Sequence, residues 1–169
     1  MAESALTSRE RILALVVAQP GLHLRELPRR LGLSLRSVRY HLETLVDQRL
    51  VTAHRSGRYE RWFAVGSLSS DDRALISALR VGAQRRILSE LQAAGPTRFA
   101  ALERATALSA ATMVNGLDRL SAEGLVELGG DRRYRLRDPD AVAMRLALYR
   151  QRFPDLMADA AREIFDKES

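Results

Sequence analysis

Five arginines, one tyrosine and three hydroxyl residues between positions 34 and 61 could do the chemistry of this chain: Ser34, Arg36, Ser37, Arg39, Tyr40, Thr44, Arg55, Arg58 and Arg61. A guanidinium is planar and permanently charged, and it can fork onto a phosphate or onto the O6/N7 edge of guanine. Arg36 and Tyr40 stand four apart, so a helix would put them on one face. Ser37 and Arg39 flank that face, a placement suited to phosphates more than to base edges. Glu43 and Thr44 follow a turn later. Arg55, Arg58 and Arg61 surround Ser56-Gly57, a turn signal between two strand-like runs. An arginine-bearing hairpin tip suits the minor groove or its phosphates. The competing reading is a solvated charged surface that binds nothing.

Other chemistries are poorly served. No nucleophile elbow, glycine-rich phosphate loop, HExxH pair or paired catalytic carboxylate occurs. The absence of cysteine rules out disulfides, thiolate zinc sites and thiol redox sensing. His23, His41 and His54 have no second ligand at metal-binding spacing, and His41 is expected to pack structurally. Enzyme activity, a cofactor and a metal are therefore not expected.

Several elements must position the arginines. Leu24 to Leu31 reads as a short helix, kept short or started late by Pro28. Gly32-Leu33 is a turn, and Ser34 can cap a second helix running to about Gln48. Val38, Leu42 and Leu45 give that helix one apolar stripe, opposite Arg36, Tyr40 and Glu43. Leu50 to Thr52 and Tyr59 to Ala64 then read as a hairpin. Upstream, a helix from Arg9 to about Gln19 is expected, capped by Ser8 and ended by Pro20-Gly21. His23 and Glu26 resemble a capping box. Trp62 alternates away from Phe63 and is expected to seal a boundary between domains rather than to stack on nucleic acid.

The chain then repeats. Adding 75 carries Ile12-Leu13 onto Ile87-Leu88, Leu27 onto Leu102, Leu33-Ser34 onto Leu108-Ser109, Leu42 and Leu45 onto Leu117 and Leu120, Leu50-Val51 onto Leu125-Val126, and Tyr59 onto Tyr134. The outward positions do not follow: Arg36, Arg39, Tyr40 and His41 become Ala111, Val114, Asn115 and Gly116. The small polar stretch from Gly66 to Asp72 reads as a linker, with Ser70 or Asp71 capping the next helix. Asp138 and Pro139 open a helical tail whose apolar residues run from Val142 through Tyr149 and, after Phe153-Pro154, from Leu156 to Phe165. The expected architecture is mostly α with small β wings: two tandem winged helix-turn-helix domains, residues 1–66 and 71–137, with C-terminal helices in 138–169 for packing or dimerisation.

Charge singles out the first domain. The chain of 169 residues has net charge +6, and residues 1–65 hold 11 Arg against 6 acidic groups, or +5. Lys167 is the only lysine, which GC-rich coding explains better than phosphate recognition does. No signal peptide is visible, and no apolar run approaches the roughly 20 residues of a membrane span, so a cytoplasmic protein is expected.

The stretch LRELPRRLGLSLRSVRYHLETLVDQRLV resembles the helix-turn-helix of ArsR/MarR-like regulators, especially the archaeal tandem winged-helix ones. The resemblance extends over nearly the whole chain but is specific only in residues 23–63. It implies a second helix docked in the major groove of double-stranded DNA and a wing on the backbone or minor groove. A transcriptional regulator, a homodimer through the tail, is the function it implies, with any small-molecule effector unknown. Two other readings remain: a tandem winged-helix protein scaffold of the ScpB-like or ESCRT-II-like kind, and a chromatin-type binder without sequence preference.

Overall fold

The computed structural model describes residues 5–158. The chain divides into two compact units, Met1–Arg73 and Ala74–Ser169. In the first, α1 (Ser8–Ala18) begins at a capping box. Thr7 is the cap, not Ser8: its hydroxyl accepts from the Glu10 N–H at 3.3 Å, and the Glu10 carboxylate accepts from the Thr7 N–H at 2.7 Å. Strand β1 (Leu22–His23) follows, an element too short to show in hydrophobic alternation. Helix α2 (Glu26–Leu31) is short, as Pro28 requires, because proline is tolerated only in a first turn. Gly32, at φ 65°, ends it in the left-handed conformation. Helix α3 (Leu35–Asp47) starts at Ser34, whose Oγ accepts from the Ser37 N–H at 3.1 Å.

Strands β2 (Val51–Ser56) and β3 (Tyr59–Ala64) form the wing, with Gly57 at φ 62° in the turn. Their sheet has the order β1-β3-β2, so β3 is central. Directly paired residues share a face. One row is Leu22–Trp62–Ala53 and the next is His23–Arg61–His54. The core joins Ile12 and Val16 of α1, Leu27 of α2, and Val38, Leu42 and Leu45 of α3 to Leu22, Val51 and Trp62. Trp62 thus packs into the core of its own unit. Phe63, on the opposite face of β3, is buried as well.

The second unit repeats this plan. Helix α4 (Ser70–Leu79) straddles the boundary between the units and is capped by Ser69, not by Ser70 or Asp71: the Ser69 Oγ accepts from the Asp72 N–H at 3.1 Å. Then come α5 (Gly82–Ala94), α6 (Phe99–Thr106), α7 (Ala110–Ala122), the wing strands β4 (Val126–Leu128) and β5 (Tyr134–Leu136), and α8 (Pro139–Arg152). The bounds of α7 are those of α3 plus 75, and Ser109 caps it as Ser34 caps α3. Ile87, Leu102, Met113, Leu117 and Leu120 are buried like their counterparts. Gly116 has a local reason: a Cβ there would stand 2.7 Å from the Ile87 Cδ1.

The offset fails after the wing. Val65 donates to the Leu50 carbonyl, and Arg137 donates to the Leu125 carbonyl, so the second hairpin is three residues shorter. Leu22 pairs with Trp62 and Thr97 with Tyr134. Tyr134 therefore occupies the place of Trp62, not of Tyr59 as the ungapped repeat implied. Asp138 caps α8, with Pro139 in its first turn, and Val142 and Tyr149 are its buried stripe. Helix resumes at Pro154 and continues to the last described residue, 158. Ala160, Ala161, Ile164 and Phe165 of the expected amphipathic tail lie outside the described residues. Among the described residues no helix is long and apolar enough to cross a membrane.

The repeat exposes a strained position. Ala107 holds φ 53° at the end of α6, where the first unit has Gly32. A left-handed alanine costs about 1 kcal/mol relative to glycine. Ala107→Gly is expected to raise the unfolding free energy of the second unit by about 0.5–1 kcal/mol in urea titrations. A variant less stable than the parent refutes this account.

Candidate nucleic-acid interface

Burial fixes which side of α3 faces out. Val38, Leu42 and Leu45 are at most 1% exposed. Each contributes about 1.5–3 kcal/mol of burial free energy, so α3 cannot roll. The opposite side presents Leu35, Arg36, Arg39, Tyr40 and Glu43 around a shallow groove of about 570 Å³. Tyr40 is 66% exposed. Its ring meets the His41 ring edge-on at 5.3 Å.

A second depression, about 370 Å³, opens where the start of α3 meets β1, α2 and the wing. His23, Leu24, Arg25, Leu35, Arg39, Arg55, Gly57, Arg58 and Glu60 line it; Arg39 lies on both hollows. Arg25, Arg39 and Arg58 are exposed cations whose guanidinium groups enter no ion pair among the described residues. Arg55 is different. Its guanidinium pairs with Glu60 at 2.9 Å, which neutralises part of the wing. An exposed pair of this kind is worth under about 1 kcal/mol, so it can exchange for another anion.

The structure brings Arg36, Arg39, Tyr40, Arg55 and Arg58 together on one side of the first unit. The hydroxyl residues have local duties there. Ser34 caps α3, and Thr44 donates its hydroxyl hydrogen to the Tyr40 carbonyl at 3.1 Å. Ser37 is half-buried, its N–H committed to that cap.

Arg61 does not belong to this surface. It is 8% exposed, and its Nη1 donates to the Gly21 carbonyl at 2.9 Å. That bond ties β3 to the residue before β1, so Arg61 is a structural cation rather than the DNA contact expected from its place beside the hairpin. Burial pushes its pKa down, with Glu26 opposing. The central position of β3 buries it, and a central strand could not be recognised before β1 was known.

His23 and Arg25 were not foreseen as surface lining. The His23 N–H donates to the Glu26 carboxylate at 2.6 Å, but α2 is capped by Arg25 with no side-chain bond, so the pair is not the capping box expected for that helix. The imidazole Nδ1 accepts from the Arg25 N–H at 3.2 Å, so the neutral ring carries its proton on Nε2. Burial lowers the His23 pKa most, and Arg61 across the strand pair adds to it. Nothing local marks Arg25; only the fold brings it to the wing.

The second unit offers less. Helix α7 exposes Ala111, Val114 and Asn115 where α3 has Arg36, Arg39 and Tyr40. Asn115 accepts from the Arg119 Nε at 3.1 Å. In the wing, Arg135 pairs with Asp131 at 2.6 Å, Arg137 with Glu127 at 3.8 Å, and Arg133 donates to the Pro96 carbonyl at 3.4 Å. Among the described residues no three His, Cys, Asp or Glu side chains converge to hold a metal ion.

Two family models match the chain. Residues 6–76 match a family described as an N-terminal helix-turn-helix domain, and residues 82–133 match the MarR family. No curated protein sequence matches. Among solved structures, the mRNA-binding domain of elongation factor SelB from E. coli, in complex with SECIS RNA, is 17% identical at TM-score 0.36; the alignment covers 79% of this chain and 100% of that one. The DIP2311 protein from Corynebacterium diphtheriae is 20% identical at TM-score 0.30, over 76% of this chain and 26% of that one. IdeR from T. acidophilum is 14% identical at TM-score 0.30, over 69% and 55%. Likenesses this loose carry no weight for fold or function here.

Two outcomes follow from the site. Arg61→Ala leaves the buried Gly21 carbonyl unpaired and is expected to cost about 1–3 kcal/mol of stability, whereas Arg58→Ala leaves stability within about 0.5 kcal/mol of the parent. Equal effects in denaturant titrations would remove the distinction. The second outcome concerns pH. Folded His23 holds its proton less tightly than the unfolded side chain, with its ordinary value of 6.5. Its contribution to stability is therefore complete above that value and is lost as the pH falls toward the depressed folded value. Urea midpoints measured between neutral and mildly acidic pH should decline less in His23→Asn than in the parent. Parallel declines would refute the assignment to His23.

Proposed function

We propose that this chain, a tandem winged helix-turn-helix regulator by its fold and by the families matching its two halves, reads duplex DNA through its first unit. In this reading α3 enters the major groove, with Arg36 and Tyr40 at base edges. Arg25, Arg39 and Arg58 take backbone phosphates around the second depression, and the wing lies along the backbone or minor groove. One observation carries it. On the outer side of the first unit the guanidinium groups of Arg25, Arg36, Arg39 and Arg58 meet no protein partner among the described residues, Arg55 alone pairing there with Glu60, whereas three of the four wing arginines of the second unit are tied to their own backbone or carboxylates. Unpaired cations at a convex helix are available to phosphate and base without first breaking an internal bond.

The second unit is read as a scaffold or spacer, because Ala111 and Val114 offer no charge to phosphate. A homodimer completes this reading. On α8, Met144 and Leu148 are 71% and 50% exposed and stand one turn apart. A two-fold dimer would place two α3 helices over two half-sites of a palindrome. Light scattering at micromolar concentration should return the dimer mass; a monomer removes this part of the reading.

The deciding test is selection of binding sites from random duplexes at physiological salt. An enriched palindrome is expected, and the Arg36→Ala, Tyr40→Ala double variant should lose at least about tenfold in affinity for it and relax its base preference. Arg39→Ala or Arg58→Ala should instead weaken all duplexes alike and lower the slope of log affinity against log salt by about one. Salt-sensitive binding without an enriched sequence would favour a chromatin-type binder, and absence of binding would favour the protein scaffold.

A further inference from the structure

We propose that Glu43 is the residue of α3 that sets which bases the helix accepts; this rests on the DNA-reading assignment above. Glu43 is exposed and lines the same groove as Arg36, Arg39 and Tyr40. It is the one acid on that rim. Arg39 stands four residues before it, yet no ion pair joins them among the described residues. The order explains this, because a basic residue preceding an acid at this spacing is the weaker orientation. The carboxylate gains nothing for the helix and opposes phosphate. Its place on a basic face calls for a partner with hydrogen-bond donors.

The groove of DNA supplies few. Guanine O6 and N7 and thymine O4 are acceptors, which an ionised carboxylate repels. Cytosine N4 and adenine N6 are donors, and cytosine offers no competing acceptor on its groove edge. Glu43 follows Arg36 by seven residues, about 10 Å along the helix at the standard rise. That span is about three base pairs. The half-site is thus expected to hold a guanine under Arg36 and a cytosine about three base pairs away under Glu43. Glu43 also penalises wrong sequences and bare backbone through charge repulsion, so it acts by rejection as much as by attraction.

The experiment is the same random-duplex selection, run on full-length wild type, Glu43→Ala and Glu43→Gln, with affinities then measured on the selected duplex and on an unrelated one. Wild type should enrich cytosine at one position per half-site, by about tenfold over the other bases. Glu43→Ala should lose the preference at that position alone, keep the rest of the motif, and bind the unrelated duplex more tightly. Glu43→Gln should move the preference to adenine, whose N6 and N7 match a carboxamide. A motif that is the same in all three proteins overturns the role of Glu43 and leaves the DNA-reading assignment standing. A wild type that enriches no motif overturns both. Because the side chain is exposed, neither variant removes a buried contact, and unchanged helical circular dichroism verifies the fold.

Discussion

The roll of α3 about its own axis is the constraint on which the rest of the first unit depends. Three side chains set it. Val38, Leu42 and Leu45 are sunk into the core formed by Ile12, Val16 and Leu27. Turning the helix by one residue would lift them into water and bury Arg39 in their place. That exchange loses several kcal/mol of apolar burial and adds the desolvation of a guanidinium. The outward set of Leu35, Arg36, Arg39, Tyr40 and Glu43 is therefore a consequence of the inward set. The cap adds the axial register: Ser34 holds the first turn, so Arg36 stands in it and Glu43 two turns below.

The wing is held by a different kind of contact. Strand β3 lies between β1 and β2, and Arg61 at its middle has His23 on one side and His54 on the other. Three potential cations in one row would repel one another. The row is tolerable because Arg61 reaches the Gly21 carbonyl and because burial and Arg61 keep His23 from taking up a proton readily. The contact also closes the second depression, since it fixes β1, and with it His23 and Arg25, against the wing. A buried arginine bonded to backbone thus sets where the exposed arginines stand.

Much of this was legible in the sequence. The apolar stripe at Val38, Leu42 and Leu45, the cap at Ser34 and the 75-residue repeat each rest on local or periodic signals, and the structure has all three. The shortness of α2 followed from Pro28 alone. What was missed depended on tertiary context. A two-residue strand has no period, so β1 was invisible; without it β3 read as an edge of a hairpin and Arg61 as a surface residue. Thr7 and Ser69 stand one or two positions before the caps first assigned, because several hydroxyl and acidic residues compete at each helix start and only backbone geometry chooses among them. The shortened second wing escaped notice because Tyr59 and Tyr134 matched by type across an offset that no longer applied.

The two units show what happens when one scaffold keeps its core and changes its surface. The core positions tolerate only apolar side chains of similar volume, so they stay recognisable. The outward positions carry no such demand, and in α7 small and apolar groups stand where α3 has arginine and tyrosine. The second unit has four wing arginines against three in the first, but number is a poor guide to available charge. Arg135 and Arg137 face Asp131 and Glu127, and their charge is largely returned within the hairpin. In the first unit the acids near the arginines are placed differently: Glu60 answers Arg55, while Glu43 shares a face with Arg36 and Arg39 without pairing to either. Net charge of the whole chain would miss this difference. The pairing of individual guanidinium groups captures it, and it separates a surface ready to receive an anion from one already satisfied.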